Sequence, residues 1–367
     1  MGTEVHDVVV IGGGIAGIAT AYFLAKAGQD VCVLDRGAVA QESTGRSNGG
    51  IGQSHRPPPD LPLAMRSVEL WEMLTEESGV DFEYRQQGLV RLAWNEEHAA
   101  ELKAMVERER AGGLEVYFLD RAETRALAPM VTDAYLGSAY CPSDGSAEPF
   151  LACVTMAREA KRYGAVIHER REVTEIEVVD GRISGVMTSE GMIATRTVVN
   201  AAGAWSSVLA QAVGVKIPAV VKRSHLMVTE QIPRFMNAYV STDFYGYFRQ
   251  SLSGNVLIGY SAAPMKEFDR RVQYDAVATA MRRAATIIPR LREVSLLRAF
   301  AGFTTWTPDY LPIIGAVGQV EGFYMATAFC GLGFAIGPVV GELMTELILQ
   351  GRTSLPIDPY SPNRFEC

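Results

Sequence analysis

Gly12, Gly14 and Gly17, spaced G-x-G-x-x-G directly behind the apolar run Val8 to Ile11, have the types and spacing to hold a pyrophosphate. The first glycine permits a tight turn. The second lets the backbone approach the phosphates, and the third lets a helix pack closely on its sheet. Ile15 and Ala16 lie between them at the start of that helix, where the positive end of its dipole faces an anionic ligand. A helical pattern runs from Ala19 to Lys26 and closes at Gly28. A second apolar strand, Val31 to Leu34, ends on Asp35, whose carboxylate suits a pair of ribose hydroxyls, with Arg36 next to it. The order strand, turn, helix, strand, acid identifies a dinucleotide-binding unit rather than a glycine-rich structural turn.

The remaining elements must carry this unit and cover it. Residues 5–36 read as strand–helix–strand in a parallel sheet, and 42–59 as a polar loop too long for a simple connection. Helical spacing covers Leu63 to Thr75 and Glu96 to Ala111, with a strand from Gly88 to Ala93 between them. A helix over Phe150 to Tyr163 leads into Val166-Ile167 and then a hairpin, Val173 to Val179 and Ile183 to Thr188, around Asp180-Gly181. Thr197 to Gly203 returns to a buried strand ending in small residues. Strand-like alternation dominates 217–259, and a helix covers Asp275 to Ile288. From Phe300 to Leu349 the chain returns to tight glycine turns and a final helix. The expected fold is α/β: a Rossmann-like nucleotide-binding domain from 1–85, 141–215 and 299–367, with a mostly antiparallel β-sheet substrate domain from 86–140 and 216–298 threaded through it.

Composition narrows the function. The 367 residues are 48% apolar and 21% charged, with a net charge of -8, which excludes a nucleic-acid or anionic-membrane surface. Glycines, Pro338, Glu342 and Glu346 interrupt the most apolar stretch, Ala326 to Leu349, so no transmembrane span is expected. The first apolar run follows Glu4 and Asp7 rather than positive charge, so no secretory leader is expected. The cysteines Cys32, Cys141, Cys153, Cys330 and Cys367 lack metal-type spacing. They fit a reducing, cytoplasmic setting and no metal site.

Three later segments resemble flavoproteins of the D-amino-acid oxidase superfamily. These include glycine and sarcosine oxidases and the flavin subunits of heteromeric proline, opine and cyanide-forming glycine dehydrogenases. The first is Ser43-Thr44-Gly45-Arg46-Ser47-Asn48-Gly49-Gly50, similar to the loop that wraps pyrophosphate and flavin ring. The second is Val199-Asn-Ala201-Ala202-Gly203-Ala-Trp205, similar to the strand end that supports the dinucleotide. The third is Thr307 to Gly315 followed by Cys330-Gly331-Leu332-Gly333-Phe334, and the likeness runs in order along nearly the whole chain. It implies FAD as cofactor, with Val173 offering backbone hydrogen bonds to adenine. Gly331 and Gly333 precede a helix with Pro338 in its first turn. N–H groups at that helix start, through Ala335, would face the flavin N1/C2 edge and stabilise charge arriving there on reduction.

Departures from the family pattern carry the finer expectations. Gly302 stands where sarcosine oxidases tether the flavin through cysteine, which implies non-covalent FAD. Leu257 stands where they place a lysine over the flavin, and leucine cannot stabilise a superoxide-like anion, which favours a dehydrogenase. The carboxylate-binding Gly-Leu-Arg-Pro of D-amino-acid and glycine oxidases reads Gly302-Phe-Thr-Thr305, and a sarcosine-oxidase lysine is replaced by Ala335. A buried carboxylate still needs a cation. Arg56 is the first candidate, with Arg223 and Arg249 in reserve. Tyr245 and Tyr247 suit pocket walls, His55 and His225 are minor candidates, and Cys330 reads as packing.

The expected reaction is oxidation of an amino acid or secondary amine by hydride transfer from Cα–H to flavin N5, giving an imine. Electrons would pass to partner subunits carrying FMN or an iron-sulfur cluster. The alternatives are a self-sufficient oxidase producing hydrogen peroxide and a non-catalytic flavin-binding subunit.

Overall fold

The computed structural model describes residues 4–242, 246–264 and 268–365. Its centre is the strand Val8–Ile11, buried along its whole length. A strand with no polar face must be covered on both sides, as in a parallel sheet between helices. Val8–Ile11 accordingly lies inside a six-stranded sheet, in the order Ile313–Ala316, Phe323–Thr327, Thr197–Asn200, Val8–Ile11, Val31–Asp35, Val166–Glu169. Every pairing is parallel except the one between Ile313–Ala316 and Phe323–Thr327.

The helices Ile15–Lys26 and Gly333–Gln350 pack together in the core formed on this sheet. Small residues let their backbones meet. A Cβ built on Gly341 would lie 2.6 Å from the Ala19 Cβ, and one on Gly337 2.6 Å from Ile15 Cγ1. Pro338 lies inside the second helix, not in its first turn: the helix begins at Gly333, directly after Leu332, so the ring falls five residues further on. There it removes an N–H that would have bonded to the carbonyl of Phe334.

The second large sheet has eight strands, in the order Leu296–Trp306, Val220–Gln231, Asn255–Pro264, Gly246–Gln250, Tyr239–Thr242, Leu89–Ala93, Gly137–Cys141, Tyr117–Leu119. It is antiparallel apart from the join between Tyr239–Thr242 and Leu89–Ala93. The helix Tyr274–Ile287 covers one face through Val277, Ala280, Ala284 and Ile287, packed with Met227, Phe248 and Ile258. A small sheet joins Glu4–Val5 to the hairpin strands Gly191–Ala194, Arg182–Thr188 and Val173–Val179.

Two anticipated boundaries cut through strands of the eight-stranded sheet. Position 298/299 falls inside Leu296–Trp306, which pairs with Val220–Gln231 over nearly its full length. Position 140/141 clips the end of Gly137–Cys141. The first strand passes through Gly302, which reads as a turn signal in sequence. Here the glycine lies mid-strand, where a Cβ would stand 3.0 Å from Arg46 Cβ, a tight contact. Among the described residues no helix is long and apolar enough to cross a membrane.

The helix crossing is directly testable with Gly341→Ala. In an exposed helix this change stabilises by about 1 kcal/mol through propensity. Here the added methyl meets Ala19, and overpacking of this kind costs about 1–3 kcal/mol. We expect a net loss of stability and a lower Tm in thermal unfolding; an unchanged or raised Tm would show that the two helices can part freely.

Candidate functional site

A cavity of about 990 Å³ lies between the carboxyl ends of the central parallel strands and one face of the eight-stranded sheet. On the first side, Gly12 adopts φ +114°, and a Cβ there would stand 2.8 Å from the Ala201 carbonyl carbon. A Cβ on Gly17 would overlap the Gly12 carbonyl oxygen. These two glycines serve close packing, and Gly17 does not line the cavity, whereas Gly14 does. The Ile15 N–H, at the helix start, donates to Thr44 Oγ1 at 3.0 Å. Asp35 accepts from the N–H groups of Gly13 and Gly37, both at 2.7 Å, so it braces the turn while its side chain borders the cavity.

Around this turn lie the other expected cofactor positions. Ala201, Ala202, Gly203 and Trp205 line the cavity, as do Val173 and Gly331 to Ala335. The Arg36 guanidinium stacks 3.7 Å from the centre of the Trp205 ring. Of the loop 43–50, Ser43, Thr44, Arg46, Ser47, Asn48 and Gly50 line the cavity and Gly49 does not. Ser43 Oγ donates to the Phe303 carbonyl at 2.7 Å and Arg46 Nη1 to the Ala301 carbonyl at 2.8 Å, fastening the loop to the sheet opposite.

The sheet forms the other wall through alternate residues of adjacent strands. Lys222, Ser224 and Leu226 line it from one strand, Gly302 and Thr304 from the next, with Tyr239, Tyr247 and Gly259 further along. Register aligns Tyr247 with Gly259, Ser224 with Gly302, and Lys222 with Thr304. Arg56 enters from the loop after Gly52, buried to 8% exposure. Its Nη2 donates to the Gly52 carbonyl and its backbone N–H to Glu109 Oε1, while Nε has no hydrogen-bond partner. Burial disfavours the charge on Arg56, and the neighbouring carboxylates of Asp144 and Asp60 work against that loss. Burial likewise raises the pKa of Asp144, opposed by hydrogen bonds from the Gln53 N–H and Ser54 hydroxyl.

Arg249, Leu257 and Arg223 stand away from the cavity, whereas His225, His55 and Cys330 line it. Arg249 is buried behind the loop, its Nε donating to the Asn48 carbonyl, and does not line the cavity. Leu257 pairs with Arg249 and Val228, two residues along the strand from Gly259, and does not line it either. Arg223 is ion-paired with Asp269 at 3.0 Å. His225 Nε2 accepts the Gln273 N–H at 3.2 Å, and burial followed by the charge of Arg223 lowers its pKa. His55 lines the cavity with φ +60°. Tyr245 lies outside the described residues. Cys330 Sγ sits 3.4 Å from Thr307 Oγ1 and 3.3 Å from the Ala328 carbonyl, and burial raises its pKa.

Sequence reasoning missed Arg91, Tyr239, Lys222 and Trp306, all on the cavity. The available signal for Arg91 was a lone charge inside an apolar strand, Leu89–Ala93. One group with metal-ligand chemistry, Glu4, Cys32 and His168, has its ligand atoms within 4.8 Å of one another, but none of the three lines the cavity. Glu4 is also held by Arg171 at 2.7 Å.

The cavity residues fit a flavin dinucleotide. Gly203 has open space where a Cβ would be, at φ +54°, and a Cβ built on Gly331, at φ +88°, would stand 3.5 Å from Trp306 Cζ2. Such glycine surfaces, with helix-start amides between them, are what a pyrophosphate and a ring edge require.

Comparisons with known proteins agree with this geometry. The crystal structure of L-proline dehydrogenase from P. horikoshii superposes with a TM-score of 0.95 at 34% identity, over 99% of this chain and 98% of that one. Glycine oxidase from Geobacillus kaustophilus superposes with a TM-score of 0.92 at 27% identity, over 99% of each chain. Human sarcosine dehydrogenase (Homo sapiens, mitochondrial) is 31% identical over 98% of this chain, which spans only 41% of that protein's length. The family model for FAD dependent oxidoreductases matches residues 7–347. The chain therefore belongs to the D-amino-acid oxidase family of FAD-dependent oxidoreductases.

Proposed function

We propose that this protein oxidises the C–N bond of an amino acid or secondary amine, delivering the electrons to a carrier other than oxygen. The observation that carries the reading is the single cavity in which the glycine cradle meets a sheet face bearing Tyr247, with the buried cation Arg56 beside it. Held non-covalently in the cradle, FAD would supply, through N5, the acceptor for the hydride that leaves the substrate Cα. The protein's own residues do the positioning. Arg56, with its unpartnered Nε, takes a share of the substrate carboxylate, and Tyr247 supplies an apolar wall with one hydrogen-bonding tip. The sheet and the loop 43–50 keep the reacting carbon away from bulk water. The helix start at Gly333 would offer its amides to the bound flavin and would stabilise negative charge arriving there on reduction. A substrate amine that enters unprotonated requires no protein base, and the imine product is hydrolysed by water.

The similarity to a proline dehydrogenase and a sarcosine dehydrogenase supports transfer to a partner or carrier. A glycine oxidase of matching length supports the rival, direct reaction with oxygen. Leu257 no longer bears on that choice, because it does not reach the cavity. Support for the non-covalent cofactor comes from Gly302, which packs on Arg46, and from Cys330, whose thiol is engaged with Thr307.

The decisive experiment is anaerobic titration of the purified holoprotein with proline, hydroxyproline, sarcosine, glycine, opines and D-amino acids, followed by admission of air. We expect the flavin band to bleach with at least one amine, to stay bleached in air and to recover with a dye acceptor. Rapid recovery with peroxide formation would make it an oxidase. Arg56→Ala should raise KM for that amine by about 10²-fold with a smaller change in kcat, since a charge-assisted hydrogen bond to the carboxylate is lost. An unchanged KM would remove Arg56 from the site. Acid precipitation should release all flavin into the supernatant; colour retained in the pellet would mean a covalent bond.

A further inference from the structure

We propose that Lys222 is an anion-binding residue of the cavity and takes the carboxylate of the amino-acid substrate, a recognition point additional to Arg56. Lys222 lies on the sheet wall in direct register with Thr304. Its ammonium sits 4.2 Å from the centre of the Trp306 ring and 5.9 Å from that of Tyr310. Aromatic faces hold a cation in place but accept none of its three N–H donors in the way an oxygen does. Among the described residues no carboxylate forms an ion pair with it.

The surroundings complete a polar corner. Trp306 Nε1 donates to Thr304 Oγ1 at 2.9 Å, and Ser224 Oγ lies 3.4 Å from the same hydroxyl. The strand is tied to the turn before the final helix by the Cys330 N–H, which donates to the Thr305 carbonyl at 3.0 Å. Lys222 is therefore fixed relative to Gly331 and the ring edge that Gly331 would face.

Three other cations on the cavity, Arg36, Arg46 and Arg56, are differently engaged. Arg36 stacks on Trp205, Arg46 donates to the carbonyls of Ala301 and Gln41, and Arg56 has Asp144 and Asp60 near it. A cation already balanced by buried acids contributes less net attraction for a ligand anion than one resting on π faces. The identity of the anion as an amino-acid carboxylate rests on the amine-oxidation reading; the anion-binding ammonium rests on the geometry alone.

The test uses the FAD-loaded protein and two small ligands that cannot form an imine: (methylthio)acetate, with sulfur where the amine would be, and its neutral amide. Binding is followed by perturbation of the flavin absorbance. We expect the acid to bind more tightly than the amide, and Lys222→Met to weaken the acid by about 10- to 10²-fold, the range for a lost charged hydrogen bond. The amide should be unmoved, and Lys222→Arg should retain most of the affinity for the acid. Lys222→Gln, which keeps a polar end over Trp306, is read in parallel in case the methionine variant does not load flavin.

Equal weakening of acid and amide, no weakening of the acid, or no preference for the acid in the unmutated protein would each overturn the proposal. If acid binding depends on Lys222 but no amine bleaches the flavin, the anion site stands and the oxidation reading falls. If amines bleach it with a KM that Lys222→Met leaves unmoved, Lys222 is not the carboxylate anchor and the oxidation reading survives.

Discussion

The structure depends on the fastening of the loop 43–50 between two sheets. On one side Thr44 accepts the first N–H of the helix Ile15–Lys26. On the other, Ser43 and Arg46 donate to carbonyls of the strand Leu296–Trp306, and Arg249 reaches the Asn48 carbonyl from within the sheet. The helix-start anion site and the sheet wall are thus fixed relative to each other by hydrogen bonds to backbone, not by side-chain packing alone. A cofactor in the cradle would face the sheet wall because this loop is held at both ends. A Cβ on Gly302 would stand 3.0 Å from Arg46 Cβ, so the loop also packs tightly over the strand.

The electrostatics of the substrate end follow from burial. Arg56, Asp144, Asp60 and Glu109 are all buried, and desolvation is the largest influence on each, pushing the arginine down and the acids up. The Arg56 charge opposes that shift at Asp144 and Asp60, whereas Glu109 is held by the backbone N–H groups of Arg56 and His55 and repelled by Asp144. On the proposed reading, an incoming carboxylate would join an interior that already holds acids beside Arg56. Recognition there would be directional, through the geometry of guanidinium donors, more than a matter of net charge.

Local signals were legible in the sequence. The glycine turn, the helix Glu96–Ala111 and the hairpin around Asp180-Gly181 each carry their pattern within a few residues. Features set by register were not. Arg249 and Leu257 sit opposite each other on adjacent strands, and which residues of those strands reach the cavity follows from pairing with distant segments. Lys222 becomes interesting only once it is seen across from Thr304, 82 positions away. The expected boundary at 298/299 divides the strand Leu296–Trp306 because its pairing with Val220–Gln231 is set by distant register. Pro338 imitates a helix start, since proline is common at first turns but here is accommodated within a helix.

The order of strands in the central sheet has a consequence for biosynthesis. Val8–Ile11 leaves the ribosome before the strands it shares the sheet with, which are drawn from Val166–Glu169, Thr197–Asn200 and Phe323–Thr327. The helix that packs against Ile15–Lys26, Gly333–Gln350, is later still. Until that helix emerges, the glycine turn has an apolar helix uncovered on one face, and its strand borders an unfinished edge. Such edges invite pairing with other chains. The nascent polypeptide must therefore carry an exposed, half-built nucleotide cradle until Gly333–Gln350 has emerged.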